Sequence, residues 1–95
     1  MEQELEDKLV QALLEAERTC REFLERSLGS KASRINITLK LDVRNGVKTL
    51  TVDIEAARRG VDDINYIVEA AVELAFKTFE EKSGLKVFKG GRGRG

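Results

Sequence analysis

Between residues 34 and 56 apolar and polar positions alternate almost without a break. Ile35, Ile37, Leu39, Leu41 and Val43 interleave with Arg34, Asn36, Thr38, Lys40, Asp42 and Arg44. A period of two predicts a strand with one buried and one wet face. Asn45-Gly46 follows, the dipeptide suited to a two-residue hairpin turn in which both positions need positive φ. Folding about that turn pairs Leu41 with Leu50, Leu39 with Val52, Ile37 with Ile54 and Ile35 with Ala56, all apolar. Turn chemistry and hydrophobic pattern therefore specify one register. The opposite face pairs Lys40 with Thr51, Thr38 with Asp53 and Asn36 with Glu55. A hairpin with one greasy face is not stable alone and needs a cover.

The flanking segments change period. Over residues 2–28, Leu5, Leu9, Ala12, Leu13, Ala16, Cys20, Phe23, Leu24 and Ser27 recur at three- and four-residue steps, predicting an amphipathic helix. Glu4–Lys8, Glu17–Arg21 and Glu22–Arg26 are i,i+4 pairs in the favourable order, and Gly29 is its natural stop. Val10 and Leu14 lie off the main apolar arc. A second helix is expected to start near Asp62 as N-cap and to run to about Ser83 before Gly84. Its apolar set includes Ile64, Ile67, Val68, Ala71, Val72, Ala75, Phe76 and Phe79, an arc of about 200° on a helical wheel. That is wider than packing on a small sheet requires. Val72 and Phe76 either pack on the first helix or belong to a partner surface.

Beyond Gly84, the alternation in 85–89 fits a third strand, which a right-handed crossover would set parallel to the second. Residues 90–95 are a Gly/Arg repeat of low complexity, expected to be disordered. The fold class is thus α+β, α-β-β-α(-β), with two long helices on one face of a hairpin-based sheet. Residues 1–89 form a single domain, followed by the 90–95 tail.

Composition narrows the function. Seventeen basic and seventeen acidic residues cancel, but residues 83–95 hold Lys86, Lys89, Arg92 and Arg94 with no acid, so the tail is +4 and the rest −4. This is a near-neutral body with a basic appendage, not a broadly basic nucleic-acid binder. The single Cys20 falls on an apolar arc, as a buried, reduced thiol of a cytosolic protein would. No apolar run has the length of a membrane span, and the acidic start is unlike a signal peptide, so a cytoplasmic location is expected. The chain has no histidine, no Walker loop, no GxGxxG and no Cys/His metal spacing. Ser27, Ser30, Ser33 and Ser83 have no recognisable base beside them. A non-enzyme without catalytic, cofactor or metal residues is the expectation.

Two basic groups remain. Arg34 is paired opposite Ala57, which gathers Lys31, Arg34, Arg58 and Arg59 at the hairpin's open end. They form either an RNA-phosphate site or a solvated loop partly neutralised by Asp62 and Asp63. Arg92 and Arg94 belong to an arginine–glycine tail that either contacts RNA or solubilises the chain. Phe23, Phe76, Phe79 and Phe88 are assigned to apolar faces. Tyr66 falls on the polar side of the second helix, where it is the aromatic best placed for a partner.

Residues 45–76 carry a resemblance. Asn45-Gly46 is followed by Leu50, Val52, Ile54, Glu55 and Ala56, then by a helix with Ile64-Asn65-Tyr66 and Ala70-Ala71-Val72. This pattern resembles the small Pcc-type subunits of the KEOPS complex, and the overall layout is most similar to the archaeal Pcc paralogue. The resemblance implies a non-catalytic assembly subunit of the machinery that makes threonylcarbamoyladenosine in tRNA. It would dimerise with a Pcc-type partner, as heterodimer or homodimer, and dock helices on the Kae-type catalytic subunit, meeting tRNA indirectly. The strand that usually precedes the first helix in that family is missing here. Its loss would leave the edge of residues 47–56 open, so the implied interface comprises Val47, Thr49, Thr51 and Asp53 with Val10, Leu14, Tyr66, Val72 and Phe76. The alternative function is a small autonomous RNA-binding domain using the basic loops and the tail, although neither a KH-type GXXG clamp nor an aromatic pair of RNP type on the strands is present.

Overall fold

The computed structural model describes residues 2–60 and 63–94, with side chains described in that range except at 2–5, 31, 92 and 94. The elements in chain order are α1 (Glu2–Leu28), a 3-10 turn (Gly29–Lys31), β1 (Ala32–Arg44), β2 (Val47–Arg58), α2 (Asn65–Ser83) and β3 (Phe88–Arg94). The three strands form one sheet in the order β1-β2-β3. The fold is α+β, with both helices contributing to the single core that covers one face of the sheet.

The hairpin adopts the register that its alternation specifies. Leu41 is opposite Leu50, Leu39 opposite Val52, Ile37 opposite Ile54 and Ile35 opposite Ala56. Asn45 and Gly46 take positive φ, 52° and 77°, as a primed turn requires. On central β2 the inward residues Leu50, Val52, Ile54 and Ala56 are buried. Their β1 partners are only half-buried, because β1 is an edge.

Helix α1 keeps to its expected span, and its buried stripe is Ala12, Ala16, Cys20, Leu24 and Leu28. The small members of that stripe allow the helices to approach closely: the Cys20 thiol donates to the Ala71 carbonyl of α2 at 3.5 Å. Arg21 pairs with Glu17, whereas Glu22 is taken by Arg18 and Arg26 donates to the Glu22 backbone carbonyl instead.

Helix α2 begins two residues later than expected. Ile64 occupies its N-cap without a side-chain hydrogen bond, and the Asp63 carboxylate accepts from the Asn65 N–H at 3.0 Å. The expected cap, Asp62, lies outside the described residues. Packing decides the start, since Ile64 is buried and anchors the chain as it enters the helix. At the other end the Gly84 N–H closes on the Glu80 carbonyl at 2.9 Å.

The third strand corrects two expectations. It spans Phe88–Arg94 rather than 85–89, and most of the segment expected as a disordered tail is part of it. It runs parallel to β2, from Thr49 opposite Phe88 to Glu55 opposite Arg94. Glycine makes this possible. A Cβ on Gly91, whose φ is +103°, would sit 2.1 Å from the Val52 carbonyl oxygen. One on Gly93 would sit 2.5 Å from Val68 Cγ1 and 3.3 Å from Val72 Cγ2. A strand bearing side chains there would not fit beneath α2, and its backbone gives β2 a second set of partners.

Candidate interaction surfaces

The order β1-β2-β3 places the second edge of β2 inside the sheet. Thr49, Thr51 and Asp53, expected on an open edge, instead lie opposite Phe88, Gly90 and Arg92. The implied sheet-edge interface is therefore corrected: β3 occupies it, and the free edges belong to β1 and β3. Val47 lies two residues before that pairing begins and is exposed.

The wide apolar arc of α2 has the same explanation. Phe76 is buried, with the Lys89 ammonium 5.5 Å from its ring centroid. Val72 is half-buried and lies over Gly93. Neither is a free partner surface, because β3 widens the sheet that α2 must cover. Three other interface candidates are exposed, namely Val10 at 51%, Leu14 at 57% and Tyr66 at 67%. They do not converge. Cys20 meets Ala71, and a rise of 1.5 Å per residue then separates Tyr66 from Val10 by roughly 22 Å along the helices. Val10 and Leu14 stand one turn apart on the outer side of α1, next to the ion-paired Glu17 and Arg21.

Two of the four basic residues at the open end, Arg34 and Arg58, make contacts within the chain. Arg34 pairs with Glu55 at 2.7 Å. Arg58 is half-buried, and its Nη1 donates to the Ser27 carbonyl at 3.4 Å. A guanidinium there complements the negative end of α1. Its Nε is buried with no hydrogen-bond partner among the described residues, which costs free energy rather than adding to the hold on the side chain. Arg59 is exposed, while the side chains of Lys31, Arg92 and Arg94 lie outside those described. By backbone register, Arg92 and Arg94 fall opposite Asp53 and Glu55.

Cys20 is fully buried, and burial pushes its thiol up to about 12, with the nearby Glu17 carboxylate acting in the same direction. It is a packing residue. Among the described residues no group of three His, Cys, Asp or Glu could hold a metal ion, and no described helix is long and apolar enough to cross a membrane.

Sequence reasoning missed the surface at the hairpin tip. Val43, Val47 and Phe88 are exposed at 54%, 46% and 67%, so Phe88 is no core residue. Its position opposite Thr49 puts it on the open face. The available signal was topological: the Asn45-Gly46 turn and Gly84 must lie at the same end, bringing Lys48 near Lys86. No protein-family model, curated protein or solved structure matches the chain.

Proposed function

We propose that this chain is a non-catalytic assembly subunit of the KEOPS type, which supports threonylcarbamoyladenosine modification of tRNA by pairing with a Pcc-type partner. The observation that carries the reading is the exposed Val10–Leu14 pair on α1. Two large aliphatic side chains at i and i+4 form a short stripe suited to a partner helix. The opposite stripe of α1 is already buried against the core, so a partner meets α1 from outside without disturbing the fold. The β2 edge is occupied by β3, so the reading rests on the helix surface rather than on pairing with β2. The resemblance in residues 45–76 supplies the identity of the complex. The alternative of autonomous RNA binding receives less support, since Arg34 and Arg58 are engaged internally.

The test is light-scattering mass on the purified chain, alone and mixed with a Pcc-type protein. A one-to-one complex is expected, and the double variant Val10→Asp, Leu14→Asp should abolish it while retaining the helical circular dichroism of the parent. A chain that ignores the partner, or a complex indifferent to the double variant, would overturn the reading. Tight RNA binding by the isolated chain would put the alternative in its place.

A further inference from the structure

The parallel pairing of β2 with β3 begins at Thr49 opposite Phe88. Before that point the two segments diverge, and a cavity of about 300 Å³ lies in the fork. Its walls run over Gly46, Val47 and Lys48 on one side and residues 85–88 on the other. The Val87 N–H donates to the Glu80 carboxylate at 3.1 Å, and the Leu85 N–H donates to Ser83 Oγ at 3.1 Å. Both contacts tie the 85–87 segment to the end of α2 and hold the fork open.

We infer that this fork is a docking site for an acidic segment of a partner protein, which inserts an aliphatic or aromatic side chain between two carboxylates. Three observations select that occupant. Four of the cavity's walls are apolar, Val47, Leu85, Val87 and Phe88, and its size is at the lower end for ligand sites, enough for one or two large side chains. Two of its apolar walls, Val47 and Phe88, are exposed to solvent, a surface of a kind that only an apolar partner gains by burying. Lys48 and Lys86 stand at the cavity with no ion pair to any described residue, and no acid is among its lining residues. The site is therefore cationic and apolar at once, complementary to a carboxylate-flanked apolar side chain. It lies apart from the outer stripe of α1 and does not depend on the function proposed above.

The experiment uses the full chain, fluorescently labelled, on an array of eight-residue peptides. Each peptide carries a Leu or Phe pair flanked by Asp or Glu at varied spacing, and matched peptides carry Lys for the acids or Ser for the apolar pair. Acidic apolar peptides should bind saturably, and both matched sets should fail. The variant Lys48→Glu, Lys86→Glu should weaken the best peptide about tenfold or more, as should Val47→Asp, with circular dichroism unchanged for each. Absence of binding across the array, or binding indifferent to these variants, would overturn the proposal. So would a single-stranded RNA oligonucleotide that binds the fork more tightly than any peptide and loses affinity with the same lysines. The readout needs no Pcc-type protein, so its failure is separate from any failure of the assembly reading.

Discussion

At the scale of single residues, position explains reactivity. Cys20 is the chain's only thiol, and burial between the helices raises its pKa to about 12. It should resist thiol reagents in the native state and react at once in denaturant, a contrast that a colorimetric thiol assay reads directly. Linkage gives a second outcome. The folded state holds the thiol proton to a higher pH than the unfolded state, so the stabilisation tied to that proton is complete below the unfolded value near 9 and is lost as pH rises toward 12. The slope is at most about 1.4 kcal/mol per pH unit. The stability advantage of the parent over Cys20→Ala should therefore shrink between about pH 8 and about pH 10.5, as urea midpoints would show. The burial of Cys20 was legible in its sequence spacing. The internal role of Arg58 was not, because nothing in the local pattern says that its side chain turns back to the end of α1.

Among the elements, β3 is the one whose stability comes chiefly from its backbone. No described side chain in Phe88–Arg94 is buried, so pairing with β2 and close approach to α2 hold it. Gly93→Ala should cost about 1–3 kcal/mol of docking free energy, because its Cβ would collide with Val68. Gly90→Ala, whose nearest neighbour would be Thr51 Oγ1 at 3.4 Å, should change stability by no more than about 0.5 kcal/mol. Hydrogen exchange separates the two: Gly93→Ala should speed exchange across residues 88–94 while the β1–β2 amides stay protected. Equal exchange in both variants would refute the steric account. The hairpin register was readable in full, since apolar alternation and the Asn45-Gly46 turn agree independently. β3 was misplaced because composition rules weigh side chains, and here their absence is what lets the backbone fit.

For the whole molecule, β3 decides which edges face solvent. Removing residues 88–95 would leave unpaired those N–H and C=O groups of central β2 between Thr49 and Glu55 that are directed at β3 and uncover Val68 and Val72 of α2, which lie against Gly93. An exposed central-strand edge is a template for association. The truncated chain should show a concentration-dependent rise in mass by sedimentation velocity, where the parent shows none under the same conditions. A truncated chain that stays monomeric would mean that β3 does not guard that edge. The same strand accounts for the breadth of the apolar arc on α2, and its divergence from β2 creates the fork at the hairpin tip.

The amino-acid sequence by itself determined the two helical periods, the hairpin and its register, the buried stripe of α1 and the outward placement of Val10, Leu14 and Tyr66. Each follows from interactions along one element or across one turn, where spacing is geometry. Only the tertiary structure decided what covers the second edge of β2, why Phe76 and Val72 are not a free surface, how Arg34 and Arg58 are engaged, and that Lys48 and Lys86 border a common cavity. Those outcomes rest on contacts between segments distant in the chain, and on a glycine-rich strand whose fit depends on the helix above it.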